Sequence, residues 1–471
     1  MPISYDTSNA TEIERFGKRL QYSTLRKTPG AQQLPAKYTR AANNGGARGL
    51  FGTLVERYYF GINPDNDSGQ PDFPEAGVEL KTHPSKRNRN GKVVAKERLV
   101  LGLINYHKDI LTTFEESSLL RKNKLLMLIC YLYEKDVPAV DLEIFLAQLI
   151  DFYKLPRVDQ RIIEEDWLQI RKKIAEGKAH LLSGADTRYL EACTKGATSK
   201  NRTTQPNASE LAKPRAYALK AGYMTALIRG TLEKNQVIKD VGEIELAGSF
   251  DAAILARFKP YIGRSVEEIA DEVAPGLNRS AKNFFAILAK KMPETALGVP
   301  GSQAAEFGKA NIVLKTVRLQ RTDIPKEHMS FPIFRYVGED SIVEQTWDSD
   351  SDESRSNFRA LLENRRYLFV VYQYDQENVL RLSKVFFWAM PVEDIEKYVR
   401  PAWEETRRRI LSGQADDLPG ESFNHVCHVR PHARNAQDTL PTPHNGEQTK
   451  KSFWLDRHYI AKQIKNAAGI S

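Results

Sequence analysis

The apolar positions change period along the chain, and each change marks an element. From Thr11 onward, Ile13, Phe16 and Leu20 fall on one stripe while Arg15, Lys18 and Arg19 fall elsewhere, which predicts an amphipathic helix. Leu50, Leu54 and Tyr58 repeat that spacing and predict a short helix over 48–60. The period then drops to two: Val78 and Leu80 share one face of an extended segment, Glu79 and Lys81 the other. The unbroken apolar run Leu125-Leu126-Met127-Leu128-Ile129-Cys130-Tyr131 predicts a buried central strand, entered past Lys122 and Lys124. Helical spacing returns over 159–176, with Ile162, Trp167, Ile170 and Ile174 inward and Gly177 as the stop. A short strand over 189–200 leads into Cys193-Thr194-Lys195-Gly196-Ala197-Thr198-Ser199-Lys200, small and basic enough to approach a groove or to be a plain loop. A basic-aromatic stretch with Tyr217, Lys220 and Tyr223 runs into another helix. Periodicity weakens from 230 to 247, which sets the expected domains at 1–232 and 233–471.

The second half repeats the first. Glu306-Phe307-Gly308-Lys309-Ala310-Asn311-Ile312-Val313-Leu314-Lys315-Thr316 overlays the segment from Asp72 to Thr82 without a gap at an offset of 234. Trp403, Ile410 and Gly413 fall 236 after Trp167, Ile174 and Gly177, and Tyr459 falls 236 after Tyr223. The run Arg365-Arg366-Tyr367-Leu368-Phe369-Val370-Val371-Tyr372 matches the buried strand after Lys124. Landmarks in one order at nearly one spacing indicate a duplicated domain. The copies differ where chemistry would sit. Glu79 is level with Val313, Asp72 with Glu306, and Glu56 with Ala289. A valine cannot ligate a cation, so the second copy is expected to keep the fold and lose the chemistry.

Composition adds bounds. A chain of 471 residues has room for two or three domains, and 41% hydrophobic with 27% charged residues is globular. A net charge of +9 permits a polyanionic partner without naming it. Cys130, Cys193 and Cys427 are too few for a disulfide framework and suit a reducing compartment. No signal pattern opens the chain and its longest apolar run is too short for a bilayer, so a cytoplasmic protein without membrane contact is expected.

The candidate chemistry lies in Pro71-Asp72-Phe73-Pro74-Glu75-Ala76-Gly77-Val78-Glu79-Leu80-Lys81-Thr82. A turn followed by a strand brings two carboxylates and an ammonium to one polar face. Carboxylate oxygens hold a hard cation such as Mg²⁺, and a lysine orients water or steadies charge on a phosphate, which suits phosphodiester hydrolysis. A bare Glu-x-Lys is also an ordinary strand end. Glu56 is either a solvated helix glutamate or a third carboxylate, and Lys124 either a strand-end charge or a phosphate contact. The run Pro84-Ser85-Lys86-Arg87-Asn88-Arg89-Asn90-Gly91-Lys92 is either a solvated hairpin or a track for a nucleic-acid backbone beside that site. Further on, Asp348-Ser349-Asp350-Ser351-Asp352-Glu353 is expected to be a solvated loop. His425-Val426-Cys427-His428-Val429-Arg430-Pro431-His432 suggests zinc, but strand alternation divides its ligands and no second cysteine pair completes a tetrahedral set. Because Arg430 and His432 overlay Cys193 and Lys195, a shared DNA-facing loop is the preferred reading.

The segment from Asp72 to Thr82 closely resembles the active-site segment of MutH, the GATC-directed nicking endonuclease of mismatch repair and a member of the PD-(D/E)xK nuclease superfamily. The resemblance extends to Gly52-Thr53-Leu54-Val55-Glu56, Lys124, Asp166-Trp167 and Leu219-Lys220. With its degenerate second copy, Lys96-Glu97-Arg98-Leu99-Val100, Gly177-Lys178-Ala179-His180 and Cys427-His428-Val429-Arg430-Pro431-His432, the whole chain resembles two-domain type II restriction endonucleases of the Sau-three-A type. The resemblance implies α/β architecture: two tandem MutH-like domains, each with a mixed central sheet flanked by helices. It implies Mg²⁺-dependent cleavage of double-stranded DNA at GATC sites and a second domain that binds DNA without cutting; with one competent site per chain on a palindromic target, self-association on DNA is expected. Asp72 and Glu79 become metal ligands, Lys81 the water-orienting lysine, and Glu56 and Lys124 supporting residues. Lys195, Tyr217 and Lys220 become DNA-contact candidates of the first domain, Arg430 and His432 of the second. Ala218 stands where the repair nickase has a tyrosine near its target adenine, so methylation sensing of the repair kind is not implied. The competing functions are a repair nickase, for which one such domain suffices, and a non-catalytic DNA-binding regulator, which leaves the carboxylates and lysines of the first copy unexplained.

Overall fold

The computed structural model of the chain describes residues 5–28, 34, 49–62, 69–195, 200–232, 249–298, 305–348, 355–444 and 446–471. It divides into two compact units, one of Met1–His180, Thr187–Lys195 and Thr203–Ile238, the other of Leu181–Asp186, Gly196–Arg202 and Lys239–Ser471. The loop at 196–199, the acidic run after Asp348 and the segment at 233–248 lie outside the described residues.

The first unit contains strands β1 (Val78–Arg87), β2 (Val93–Ala95), β3 (Leu99–Leu103), β4 (Leu125–Leu132), β5 (Ile144–Asp151), β6 (Leu190–Thr194), β7 (Thr203–Gln205), β8 (Ala208–Ala212) and β9 (Arg215–Leu219). Its main sheet has the order β2-β1-β4-β5 and is mixed: β1 and β4 run parallel, the outer pairs antiparallel. β4 lies between two partners, which is why its sequence is apolar throughout rather than alternating. A smaller antiparallel sheet has the order β3-β9-β6, and β7 pairs with β8. Helix Ala10–Lys18 begins at Asn9, whose side chain accepts from the amides of Thr11 and Glu12, and it buries Ile13. Helix Arg157–Ala175 buries Ile162, Trp167, Ile170 and Ile174, and the chain leaves it through Gly177 at φ +73°.

The second unit has β10 (Ile312–Leu319), β11 (Met329–Ile333), β12 (Arg366–Tyr374), β13 (Leu380–Trp388), β14 (Cys427–Pro431), β15 (Thr439–Pro441), β16 (Glu447–Thr449) and β17 (Lys451–Leu455). The order β10-β12-β13 repeats β1-β4-β5, parallel then antiparallel, and β11-β17-β14 repeats β3-β9-β6. The register repeats as well: Ile312 faces Arg366 as Val78 faces Leu125. Gly413 leaves helix Arg400–Leu411 in the same left-handed conformation as Gly177. The molecule is therefore α/β, with two tandem copies of one mixed-sheet fold.

The basic run lies differently from its expected place. Residues through Arg87 continue β1, and only Asn88 to Gly91 form the turn to β2. Lys81 stands near the start of β1 and Arg89 just past its end. At about 3.3 Å per residue, roughly 26 Å of extended strand separates them. The exposed charges of that hairpin are thus remote from Glu79.

Candidate active site

A tight turn assembles the head of β1. Phe73 and Val78 exchange backbone hydrogen bonds at 2.9 and 3.2 Å, and the Gly77 amide donates to Pro74 at 3.3 Å. Closing so short a hairpin requires the left-handed backbone of Gly77, φ +65°. The turn carries Asp72 back beside the strand, where its Oδ2 accepts from the Leu80 amide at 2.8 Å. The Asp72 amide in turn donates to Glu79 Oε2 at 3.2 Å. Two residues seven apart in sequence are thereby locked side by side.

Glu79 is 1% exposed, so its strand face is not the solvated one that alternation alone suggests. Its Oε1 lies 2.5 Å from Lys81 Nζ and 3.5 Å from Lys122 Nζ. Burial pushes the Glu79 carboxyl up, Lys81 opposes the shift, and the neighbouring Asp72 adds to it. Glu56 stands on the wide helical turn Val55–Phe60, directly after helix Leu50–Leu54. Its carboxyl is also pushed up, by burial first and then by Asp72 and Glu79, with Lys81 opposing. Three crowded carboxylates, all oxygen donors, fit a hard divalent cation.

Glu56, Asp72, Glu79 and Lys81 thus come together. Lys124 does not reach Glu79 by any observed contact: it is exposed, and a Cβ placed on Gly77 would meet its Cε at 3.5 Å. Lys122, from the last turn of helix Ser118–Asn123, takes the contact instead. Sequence showed two lysines before β4 but not the helix end that aims one of them.

The DNA-contact candidates separate. Lys195 is exposed at the end of β6, with its amide donating to Pro214. Tyr217 and Lys220 are corrected: both are buried. The Tyr217 hydroxyl donates to Asp109 at 3.0 Å, and Lys220 Nζ donates to the Thr187 carbonyl close to buried Asp166. Their polar groups serve the interior. In the second unit Arg430 is partly exposed and pairs with Glu421 at 2.8 Å, and exposed His432 bonds Ser452 at 2.8 Å. His428, from the same cluster, is buried and does not belong to an outward-facing loop.

The second copy of the site is built differently. Asn311 takes the left-handed conformation of Gly77, φ +53°, but a helix, Ala305–Ala310, precedes it in place of the hairpin. Glu306 lies buried on that helix. Val313 occupies the register of Glu79 and Lys315 that of Lys81. Burial and the neighbouring Arg365 hold the Lys315 ammonium below its ordinary range. The Thr316 hydroxyl donates at 3.5 Å to the carbonyl of Ala289, so an alanine of helix Phe284–Leu297 adjoins this strand.

A mixed sheet whose central parallel pair carries Asp, Glu and Lys at its head defines a MutH-like nuclease of the PD-(D/E)xK class. Residues 60–166 match the family described as DNA mismatch repair enzyme MutH. The chain is 34% identical over 450 residues to the type II restriction enzyme Sau3AI of Staphylococcus aureus, covering 87% of this chain and 91% of that one. It is 28% identical over 189 residues to the DNA mismatch repair protein MutH of Shewanella amazonensis, 39% of this chain and 79% of that protein. To the MutH of Shewanella woodyi it is 25% identical over 184 residues, 38% and 76% of the two. The chain belongs to the family of the type II restriction enzyme Sau3AI. It is accordingly a type II restriction endonuclease, a deoxyribonuclease whose substrate is DNA. Among the described residues no helix is long and apolar enough to cross a membrane.

Proposed function

We propose that the chain cuts double-stranded DNA at GATC with Mg²⁺, through the domain at 1–232 alone. The observation that carries this reading is the convergence of Glu56, Asp72, Glu79 and Lys81 at one strand head, where the equivalent strand carries Val313. Asp72 and Glu79 would hold the cation, which supplies Lewis-acid stabilisation of the phosphate and a more acidic water. Lys81 orients the attacking water, and Lys122 keeps the buried Glu79 charged and in place. Glu56 adds negative charge on the helix side, Lys124 stands at the margin of the site, and Lys195 contacts DNA. The domain at 233–471 binds a further stretch of DNA through Arg430 and His432 and stimulates cutting, with two chains assembling on DNA. Each chain carries one competent site, and a palindromic target presents two phosphates to symmetric partners.

Plasmid incubated with Mg²⁺, with and without chelator, tests the reading, followed by sequencing of the product ends. Linear fragments ending at GATC, formed only without chelator, are expected. Nicked circles alone would indicate a repair-type nickase, and unchanged plasmid a non-catalytic binder.

A further inference from the structure

We propose that the second unit carries a zinc site formed by His328, His428 and Asp456, separate from the nuclease centre. The sheet β11-β17-β14 builds it. Leu455 faces Met329 on one side and Cys427 on the other. His328 immediately precedes β11, Asp456 immediately follows β17, and His428 is the second residue of β14. All three therefore meet at one end of the sheet, though the first and last are 128 positions apart in the chain. One nitrogen from each histidine and one Asp456 oxygen lie within 4.8 Å of one another. Zinc bonds of about 2.0–2.1 Å set ligand atoms roughly 3.4 Å apart in a tetrahedron, so closure asks for about an ångström of side-chain movement.

An independent observation points to a ligand. His428 is 1% exposed, and neither of its ring nitrogens has a hydrogen-bond partner among the described residues. A neutral imidazole carries one N–H and one lone pair that water would have satisfied, and burying both unpaired is costly. The ring of His328 stands edge-on to it, centroids 4.8 Å apart. Asp456 divides its duties: Oδ1 caps helix Arg457–Asn466 through the His458 amide at 2.7 Å, and Oδ2 faces His328 Nδ1 at 3.4 Å. The His328 Nδ1 also accepts from the Arg457 amide at 3.2 Å, and its Nε2 faces Glu421 Oε1 at 3.5 Å. The same Glu421 oxygen neutralises Arg430, the nearest guanidinium on β14.

The first unit supplies the contrast. At the same register positions it has Arg98, Glu191 and Lys220, and there Arg98 pairs with Glu191 at 3.0 Å. Two of those positions have become imidazoles and the third a carboxylate. Two nitrogens and one oxygen suit zinc and leave a fourth position open, whereas Mg²⁺ takes oxygens alone. Strand alternation divides the ligands within one segment, but the partners of His428 flank two other strands, β11 and β17.

The test uses the full chain carrying Glu79→Ala, so that metal at the nuclease centre does not contribute. After removal of loosely held metal, elemental analysis should find about one zinc per chain, and cobalt in its place should give visible d–d absorption of a nitrogen-oxygen site. Zinc should raise the melting temperature. His428→Gln should abolish all three readouts. Asp456→Asn keeps a helix cap and should weaken metal retention at least tenfold, with an unchanged far-ultraviolet spectrum. A parent chain that retains no zinc and gives no cobalt spectrum would overturn the proposal, as would equal retention by the parent and either folded variant.

Discussion

The two copies of the strand head differ by a few side chains and arrive at opposite electrostatics. In the first, a hairpin returns Asp72 to the strand, Glu79 is buried beside it, and Lys81 and Lys122 balance the charge. In the second, valine replaces the glutamate, a helix replaces the hairpin, and Lys315 has Arg365 for a neighbour. The sheet order, pairing and register are the same in both. What distinguishes them is the side chains and the segment that leads into the strand, so sheet topology alone does not locate a reacting centre.

The largest effect should come from removing the chemistry of the first copy. Asp72→Ala and Lys81→Ala are each expected to lower single-turnover cleavage by about a thousandfold or more, since several kcal/mol of transition-state stabilisation is lost. DNA retention on gels should be nearly unchanged. Cleavage by either variant near the parent rate would remove that residue from the site. The two lysines before β4 sharpen the comparison. Lys122→Ala should cost about 10–100-fold, the loss typical when a group that orients a ligand is removed, and Lys124→Ala less. The reverse ranking would return the supporting role to Lys124.

Crowded carboxylates also predict a pH effect of stated sign. Burial raises the folded-state affinity of Glu79 and Glu56 for protons above that of the unfolded chain. Their contribution to stability is therefore full below the ordinary glutamate range and is lost as pH rises through the raised folded values. Metal-free protein should melt lower at pH 8 than at pH 5.5 on this account, Glu79→Gln should flatten the difference, and Mg²⁺ should recover most of it in the parent alone. A Mg²⁺ response unchanged in Glu79→Gln would place the cation elsewhere. Smaller still is the expected coupling between sites. A plasmid with two GATC sites should be cut a few times faster than one with a single site, and a short GATC duplex in trans should stimulate the latter. Arg430→Ala with His432→Ala should bring the two-site rate down to the one-site rate; identical rates in the parent would make the second domain a passive clamp.

Much of this was legible in the sequence because the decisive residues are local. Asp72, Glu79 and Lys81 share one hairpin and strand, and the continuous apolar run of β4 records burial on both sides. The gapless overlay of β1 and β10 places Val313 at the register of Glu79, as the strand pairing does. The failures share the opposite cause. Tyr217 and Lys220 stood as DNA-contact candidates in a basic-aromatic stretch because their partners are far away in sequence: Asp109 is 108 residues from Tyr217, and Thr187 is 33 from Lys220. The basic hairpin seemed adjacent to the site because an extended strand hides about 26 Å between neighbours in sequence. Lys122 and Lys124 could not be ranked without the end of the helix that carries them, and His428 could not be placed without His328 and Asp456.

The central claim is that the first copy cuts only with Glu79 in place, and Glu79→Val tests it by giving that copy the side chain of the second. Its single-turnover rate on GATC plasmid should fall below detection with DNA binding retained. Adding Val313→Glu should restore nothing, because the helix at Glu306 and the charge of Arg365 would remain. Near-parent cutting by Glu79→Val, or recovery on adding Val313→Glu, would contradict the account.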